Sequence, residues 1–405
     1  MAGTPHGGRG PAIALIAFCQ VACMTLWFSA SAVVPGLLAR GLLEPSRAAL
    51  LTAAVQLGFV AGTMASAALG LADRGDPRRL FMACGLFGAA ANAALLLSGF
   101  DTPAAVALRF LTGMALAGVY PVGMKLAAGW AGRRMGLMMG LLVGALTLGS
   151  ALPHLFNAFS SLDSRYVILG ASACTLAGAI AVRALQLGPD HRRAPAFRPG
   201  QALAALRSPA LRYVNGGYLG HMWELYAMWA WMGSFLAWAL PKAGATGWMA
   251  NASLVTFAVV AAGAAGCVAA GLLADRYGRT AVTCGAMAAS GLCALAIGPA
   301  VAAGPAVLAG VAIAWGVSVI ADSAQFSAAL AELAEAPLVG TLLTLQTSLG
   351  FLLTFFAIQA VPIAQRLLGW EHAFAVLAIG PALGILSMWR LRALPEAARL
   401  AGGRR

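Results

Sequence analysis

Residues 269–279 read AAGLLADRYGR, and residues 68–79 read ALGLADRGDPRR. Both stretches contain the order Leu-Ala-Asp-Arg, and the two aspartates, Asp73 and Asp275, are 202 positions apart in a chain of 405 residues. Similarity at half the chain length indicates an internal duplication, in which two parallel repeats follow each other in one chain. The motif therefore predicts a protein made of two similar halves.

The composition of the chain is that of an integral membrane protein. Hydrophobic residues make up 61% of the sequence and charged residues only 10%, which is too few for the surface of a soluble protein. The seven cysteines lie in apolar runs, so we expect no disulfide framework. The sequence contains no phosphate-binding loop, nucleophile elbow or metalloprotease pair, and we predict neither an enzyme nor a bound cofactor.

Long apolar runs, separated by clusters of Gly, Pro and Arg, predict twelve membrane-spanning helices. Each run can cross about 30 Å of hydrocarbon at about 1.5 Å per residue. A helix also satisfies its own backbone hydrogen bonds within lipid, and no alternating pattern of a membrane β-barrel appears. In chain order the predicted helices α1 to α12 cover 12–38, 47–72, 79–99, 103–130, 134–158, 165–186, 212–240, 247–273, 281–303, 304–331, 338–367 and 371–391.

A polar, proline-rich segment divides the predicted helices into two equal groups. It reads LGPDHRRAPAFRPGQALAALRS and covers 187–208. We therefore predict an all-α membrane protein of two six-helix bundles related by pseudo-twofold symmetry. The predicted boundaries are an N-terminal bundle at 1–186, a cytoplasmic linker at 187–211 and a C-terminal bundle at 212–405.

The distribution of Lys and Arg predicts the orientation of the chain. With the N-terminus inside, nineteen basic residues lie at the inner side of the predicted helices and five at the outer side. This is the positive-inside bias of membrane proteins. It accounts for the net charge of +13 without a nucleic-acid partner. We expect a multi-pass protein of a bacterial-type inner membrane, with both termini in the cytoplasm.

With its twelve predicted spans, its mid-chain loop and its duplicated motif, the sequence resembles the major facilitator superfamily over essentially its whole length. The family's cytoplasmic signature is G-x-L-a-D-r-x-G-r-k. The matching residues are Asp73 and Arg74 in the first copy and Gly271, Asp275, Arg276, Gly278 and Arg279 in the second copy. A second signature, R-x-x-x-G, matches Arg109 and Gly113. The resemblance implies close helix packing at the glycines and a cytoplasmic latch, formed by the Asp and Arg residues, that stabilises one access state.

Within the superfamily, the stretches LWFSASAVVP at 26–35 and GHMWELYAMWAWM at 220–232 are similar to bacterial nitrate and cyanate permeases. Nitrate carriers of this kind hold the anion with arginines on the second and eighth helices, whereas α2 here carries Gln56. Drug/proton antiporters have a Gly-Pro motif on the fifth helix, but this chain reads GALTLGSALPHL at 144–155. The absence of the motif favours uptake, and a drug/proton antiporter stays an alternative.

Five ionisable residues lie deep within the predicted spans, on α4, α7 and α10: Arg109, Lys125, His221, Glu224 and Asp322. A charge at the centre of a bilayer costs roughly 2.5–3.5 kcal/mol on insertion scales, so such residues normally face water or one another. The resemblance implies that α1, α4, α7 and α10 line a central cavity. We predict Glu224 as the coupling proton site, together with His221 and Asp322, and Lys125 as a residue that reaches the inner interface.

Helical spacing assigns further residues to the central cavity. The predicted substrate cavity consists of Arg109, Tyr120, Gln20, Trp27, Met228, Trp231 and Gln325. Two roles are open for Arg109, which either neutralises Asp322 or holds an anionic substrate. For Glu224 and His221, a purely structural hydrogen-bonded pair is the alternative.

Together these patterns predict a secondary active transporter that moves a small polar or anionic solute by alternating access with proton symport. The expected partners are a small-molecule or ion substrate, protons and the lipid bilayer, and the expected state is a monomer. One alternative is Cu(I) uptake, because soft ligands are available at Cys19, Cys23, Met24, Met228 and Met232. The other is a membrane sensor or assembly factor that binds without transport.

Overall fold

The first half of the chain contains six long helical elements. In the computed structural model, residues 8–131, 135–159, 163–191 and 197–404 are described, and this part of the chain contains no strand. The bounds are Arg9–Met24 with Ser29–Ala39 for α1, Pro45–Leu69 for α2, Pro77–Ala93 with Leu95–Ser98 for α3, Pro103–Ala117 with Tyr120–Ala131 for α4, Met135–Phe159 for α5 and Ser164–Ala181 for α6.

The second half repeats this order of helices. The bounds are Pro209–Lys242 for α7, Ala252–Tyr277 for α8, Arg279–Ala296 for α9, Pro305–Ala321 with Ser323–Leu333 for α10, Val339–Leu368 for α11 and Ile379–Arg392 for α12, which follows the turns Trp370–Ala373 and Phe374–Ala378. Because α7 begins at Pro209, the linker ends earlier than predicted. A short helix at Pro199–Ala205 lies within the linker.

Eleven helices in the described part of the chain are long and apolar enough to cross a membrane. The remaining long helix, α7, has 34 residues. Its hydropathy is lower because it carries Asn215, His221 and Glu224 as well as several Trp and Tyr residues. With α7, the predicted set of twelve helices is present.

Local sequence explains where several helices begin. Pro77 and Pro103 occupy the first position of α3 and α4, where the missing N–H group would have no helical partner in any case. The residue before Pro103 is Thr102, whose Oγ1 accepts a hydrogen bond from the backbone N–H of Ala105 at 3.1 Å. This N-cap satisfies one of the free donors at the start of α4.

Four of the predicted helices are interrupted in the structure, and in α3 the break lies at Ala94. Helix α4 stops at Ala117 because Pro121 has no N–H group and its ring would clash with the carbonyl group four residues earlier. Its counterpart in the second half, α10, is interrupted at Asp322. Helix α1 is interrupted at 25–28, whereas its counterpart α7 is continuous. The interruption of α4 and α10 is thus repeated in both halves, and that of α1 is not.

A close crossing of two helices is repeated in both halves. A Cβ atom on Gly113 of α4 would lie 2.0 Å from the carbonyl oxygen of Val55 in α2. A Cβ atom on Gly316 of α10 would lie 1.9 Å from the carbonyl oxygen of Val259 in α8. No side chain fits at either glycine unless the two helices separate, so each crossing depends on glycine.

The two halves contact each other along α2 with α11 and along α5 with α8. At the end of the molecule opposite the linker, the side-chain amide of Asn157 donates to Ser253 Oγ at 2.7 Å. The side-chain amide of Asn251 donates to the carbonyl oxygen of Ala158 at 3.1 Å. These bonds hold the halves together on the side that the basic residues predict to be the outer one.

Candidate functional site

Arg109 of α4 is fully buried in the first half and binds the interruption in α1. Its Nη2 donates to the carbonyl oxygen of Trp27 at 2.6 Å, and its Nη1 donates to that of Leu26 at 3.0 Å. Nη1 also lies 3.2 Å from Ser29 Oγ and 3.1 Å from Asn92 Oδ1. The interruption frees these carbonyl groups from helical hydrogen bonding, and the guanidinium group supplies the missing donors.

These bonds exclude the first role predicted for Arg109. Nε donates to the carbonyl oxygen of Leu51 at 3.4 Å, so every nitrogen of the guanidinium group has a protein acceptor. Within the described part of the chain, Arg109 forms no ion pair with a carboxylate, whereas Asp322 pairs with His221. The two residues therefore lie in separate clusters, one in each half.

Glu224 of α7 is buried inside the second half, where its carboxyl group joins three helices. Oε2 accepts a hydrogen bond from the hydroxyl group of Ser290 in α9 at 2.7 Å. Oε1 accepts a hydrogen bond from the indole N–H of Trp315 in α10 at 2.7 Å. These two donors replace part of the water shell that a buried carboxyl group loses.

His221, one turn earlier on α7, lies beside Asp322 at the interruption of α10. Nδ1 of His221 is 2.8 Å from Oδ1 of Asp322, and both side chains are almost completely buried. The histidine therefore contacts Asp322 and not Glu224, which corrects the predicted His221–Glu224 pair. Nε2 of His221 has no hydrogen-bond partner within the described part of the chain. A proton gained or lost here changes the charge between α7 and α10.

The face of α7 that carries His221 and Glu224 points into the second half and not toward the first. Trp231 lies on this face and donates its indole N–H to the carbonyl oxygen of Ile358 in α11 at 2.9 Å. Gly217, on the same face, packs against Met388 of α12. In this structure Trp231 therefore packs within the second half. Helical spacing shows which residues share a face but not what that face contacts.

The first segment of α1, Arg9–Met24, points its predicted cavity residue Gln20 into its own half. A Cβ atom on Gly123 of α4 would lie 2.1 Å from Oε1 of Gln20, so Gln20 packs against α4. The carbonyl group of Cys19 and the sulfur atom of Cys23 pack against Gly178 of α6. In this structure Gln20 therefore packs within the first half.

Three of the residues predicted as copper ligands, Cys19, Cys23 and Met24, pack within the first half. Cys23 Sγ lies 3.7 Å from the carbonyl oxygen of Thr175 in α6, and Met24 packs against Gly149 of α5. Met228 and Met232 are buried on α7, which contacts the Ser29–Ala39 segment of α1. No group of three or more His, Cys, Asp or Glu residues in the described ranges could hold a metal ion.

The second copy of the latch motif acts through its last arginine. Arg279 donates to both carboxylate oxygens of Glu332, at 2.8 and 2.5 Å, and to Gln325 Oε1 at 2.7 Å. In this structure Gln325 therefore binds the last arginine of the motif. Gly278 adopts φ +93°, a conformation that favours glycine, whereas a Cβ atom on Gly271 would have open space around it. The implied close packing at Gly271 is thus absent from this state.

The other latch residues of the second copy make weaker contacts. The guanidinium group of Arg276 lies 5.2 Å from the ring centre of Tyr277. The backbone carbonyl group of Asp275 accepts a hydrogen bond from Arg404. In this state the latch is therefore an ion pair between Arg279 and α10, with Asp275 contributing its backbone.

The first copy of the latch uses its aspartate. Lys125 of α4 forms an ion pair with Asp73 and a 2.8 Å hydrogen bond to the carbonyl oxygen of Ala72. Lys125 therefore reaches the motif on the predicted inner side, in agreement with its predicted position near the inner interface. Asp76, the N-cap of α3, binds the guanidinium group of Arg78 at 2.7 Å, and this hydrogen bond lowers the pKa of Asp76 below its usual value. A cavity of about 310 Å³ lies beside these residues.

An aromatic layer joins the two halves. It lies between the two copies of the latch motif and the end of the molecule opposite the linker. We define it as Trp27, Phe28 and Phe59 of the first half and Tyr226, Trp229 and Phe351 of the second half. Ring centres are 5.3 Å apart for Trp27 and Phe351, 4.6 Å for Phe59 and Phe351, and 5.7 Å for Phe28 and Trp229. Trp27 therefore lies between the halves as predicted, but it packs against rings and not against open space. Tyr120 begins the second segment of α4 and is half-buried.

Several residues of the site were missed from the sequence. Ser290 and Trp315 bind Glu224, and Asn92 binds Arg109, but each is a common residue inside an apolar run. Tyr226 and Trp229 do fall on one face of α7 with Gly233, opposite the face that carries Glu224. The sequence pattern that could have indicated Tyr226 and Trp229 is therefore an aromatic face on a helix whose opposite face carries titratable residues.

Comparison with known proteins identifies relatives of this fold. The family model described as Major Facilitator Superfamily matches residues 16–358. A crystal structure of a mutant of the nucleoside transporter NupG is similar with a TM-score of 0.72 and 12% identity, covering 95% of this chain and 100% of that chain. A bacterial homologue of the human lysosomal transporter Spinster, inward-facing and unoccupied, has a TM-score of 0.67 and 13% identity, covering 96% and 95%. No curated protein matches the sequence.

Proposed function

The chain belongs to the Major Facilitator Superfamily, and from this we propose that it is a proton-coupled symporter for a small, uncharged polar solute. Membership of the family makes it a membrane transporter and not an enzyme. The observation that carries the proposal is the cluster of Glu224, His221 and Asp322 inside the second half. Buried ionisable groups in a membrane protein normally belong to a proton or substrate path.

Protonation of this cluster would change how α7 packs. When Glu224 is ionised, its hydrogen bonds to Ser290 and Trp315 are charge-assisted and therefore strong. A proton on Glu224 weakens both bonds, which loosens α7 from α9 and α10. A proton shared between His221 and Asp322 acts at the interruption of α10, where the helix is free to bend. The proposed coupling therefore runs through the packing of α7, α9 and α10.

Two observations favour an uncharged solute over an anionic one. Arg109 and Lys125, the basic residues inside the predicted spans, both already bind protein acceptors. In contrast, the helices that join the two halves carry buried neutral polar groups without a partner in the described part of the chain. They include Gln56 and Thr63 of α2, Ser150 and His154 of α5, and Ser348 of α11. Such groups offer donors and acceptors to a polar solute without a charge that would attract an anion.

We also propose how the molecule is arranged in the membrane. The bundles at 1–186 and 212–405 would move against each other about the solute path, and the linker at 187–211 would lie in the cytoplasm with both termini. The excess of Lys and Arg on that side supports this orientation in a bacterial inner membrane. One chain carries both halves, so we propose a monomer as the transporting unit.

Solute-driven proton movement tests the proposal. Purified protein is reconstituted into liposomes that contain a pH-sensitive dye, and small sugars, polyols, amides and nucleobases are added outside. A solute that enters with protons acidifies the interior. Glu224→Gln should abolish the acidification while the protein stays folded, because the amide cannot take up a proton.

Glu335→Gln is the matched control, since it makes the same chemical change at an exposed carboxyl group outside the spans. It should transport as the wild type does. Acidification that persists in Glu224→Gln, or solute entry without any proton movement, would contradict proton coupling.

A further inference from the structure

The aromatic layer contains two indole N–H groups that have no acceptor. Trp27 and Trp229 are both almost completely buried, and neither Nε1 atom has a hydrogen-bond partner in the described part of the chain. Other tryptophans of this protein do have partners: Trp231 donates to Ile358, and Trp315 donates to Glu224. A buried donor without an acceptor is unfavourable for folding, so these two donors point to a ligand.

The unpartnered donors come from opposite halves. Trp27 belongs to the first half and Trp229 to the second, and Phe28 and Tyr226 lie between them. Ring centres in the layer are 4.6 to 6.1 Å apart. The layer therefore presents flat apolar faces together with two N–H donors, and it has no charged side chain among its six members.

Any solute that follows the alternating-access path must pass this layer. The rings form contacts between the halves, so the halves cannot move apart without separating them. Once separated, each half offers aromatic faces and one indole N–H to the path. Planar conjugated rings stack on such faces, and acceptor atoms on a ring edge satisfy the N–H groups.

We propose that the aromatic layer is the solute-binding site and that its substrate is a small, planar heteroaromatic compound with acceptor atoms on its ring edge. The ring lies between the aromatic faces of the two halves, and its acceptors bind the indole N–H groups of Trp27 and Trp229. This inference rests on the proposed transport function, and it names the class of solute. A flexible polyol or sugar offers no flat face and fits this layer poorly.

Binding in detergent at one fixed pH tests the inference without any need for proton coupling. The probes are uracil, hypoxanthine and nicotinamide, with dihydrouracil as the puckered counterpart of uracil and erythritol as a non-planar polar compound. Binding is measured by tryptophan fluorescence and by the shift of the unfolding temperature. We expect at least one planar probe to bind; if it is uracil, dihydrouracil should bind at least about tenfold more weakly.

Conservative variants then locate the site. Trp27→Phe and Trp229→Phe keep an aromatic ring but remove the N–H group, and each should weaken binding of the planar probe by about tenfold. Trp231→Phe is the matched control, because its N–H group is bound to Ile358 away from the layer. It should leave binding unchanged. The wild-type comparison of planar and puckered probes needs no variant and remains decisive if a variant fails to fold.

The outcomes separate this inference from the proposed function. Failure of every planar probe to bind, equal binding of planar and non-planar probes, or equal loss in Trp231→Phe would overturn the inference. If proton-coupled entry of another solute persists in that case, the symporter proposal stands. The aromatic layer then only opens and closes the path and does not bind the solute. If a planar probe binds but Glu224→Gln still acidifies liposomes normally, the site stands and the proton coupling fails.

Discussion

Arg109 in the first half and Asp322 in the second lie on corresponding helices, α4 and α10, but they are bound in opposite ways. Every guanidinium nitrogen of Arg109 has an oxygen acceptor, and three of these acceptors are backbone carbonyl groups. Asp322 has one short contact, to Nδ1 of His221, whose second nitrogen is unpartnered within the described chain. The saturated cation stabilises the fold, whereas the incompletely satisfied pair is the one that we propose for proton coupling.

The continuity of the neighbouring helix explains this difference. Helix α1 is interrupted at 25–28, and its freed carbonyl groups require a donor, which Arg109 provides. Helix α7 is continuous over Pro209–Lys242, so its backbone satisfies itself. Its side chains are therefore free to carry Glu224 and His221 into the second bundle. A repeated fold thus holds charge for stability in one half and, as we propose, for coupling in the other.

The largest expected effect is the loss of stability when Arg109 is removed. Arg109→Gln should destabilise the protein by about 3–5 kcal/mol, because buried carbonyl groups at the interruption of α1 lose their donors. Thermal unfolding of the purified protein in detergent measures the loss. Lysine should not restore stability, because a single ammonium group cannot bind acceptors on several sides.

Arg165→Gln is the control, since Arg165 is exposed and its side chain is not part of the cluster. It should unfold like the wild type. If Arg109→Gln also unfolded like the wild type and lost only transport, the contrast between a structural cation and a coupling pair would be broken.

A smaller effect on stability, with a large effect on transport, is expected in the second half. Asp322→Asn should cost about 1–2 kcal/mol, because the amide keeps the shape of the carboxyl group. Proton-driven uptake should fall at least about tenfold, since the pair with His221 can no longer exchange a proton. The measurements are thermal unfolding and liposome uptake on the same preparations.

The double variant His221→Gln/Asp322→Asn should lose no more uptake than either single variant, because the two residues act as one unit. Ser318→Ala on α10 is the control, since its hydroxyl group binds only its own helix, at Ala314 and Trp315. Additive losses in the double variant would show that His221 and Asp322 act separately.

The smallest effect is expected at the first latch copy, where Asp76 stands in place of the glycine found at Gly278 in the second copy. The hydrogen bond from Arg78 lowers the pKa of Asp76 below its usual value of about 3.9, so folding favours the ionised carboxyl group. Its contribution is present above that usual value and is lost as the pH falls through the lower folded pKa. Asp76→Asn should therefore cost under about 1 kcal/mol at pH 7, with the difference from wild type shrinking in acid.

Unfolding temperatures of both proteins from pH 7 to pH 3 measure this difference. If the difference in unfolding temperature stays constant from pH 7 to pH 3, the charge of Asp76 contributes nothing to stability. Only its N-cap hydrogen bond from the backbone N–H of Arg78 then contributes. The second copy would then differ from the first in backbone conformation alone.

Much of the fold was predictable from the sequence because its signals are local. The lengths of the apolar runs gave the helices, and the repeat at Asp73 and Asp275 gave the two halves. The interruption of α4 had a visible cause in Pro121. The interruption of α1 had none, because it depends on Arg109, which lies far along the chain but contacts it in space.

The candidate site was predicted only in part. From their depth in the spans, Glu224, His221 and Asp322 were predicted to face water or one another in a central cavity. In the structure all three are buried, and His221 lies against Asp322. Their partners were not expected, because Ser290 and Trp315 come from other helices. For the same reason the sequence did not indicate that Gln20 packs on α4, that Trp231 binds α11 or that Gln325 binds Arg279. Each residue shares a helix face with cavity candidates, but the rotation of the helix in its bundle decides what it contacts.

By itself the sequence determined the number of helices, their division into two halves and the set of buried titratable residues. These properties follow from hydropathy, repeat spacing and residue type, which are read along one chain. Only the tertiary structure decided that Arg109 is saturated by α1, that His221 meets Asp322, and that the aromatic layer joins the halves. Such contacts depend on how helices rotate and cross, and packing between distant segments sets that geometry.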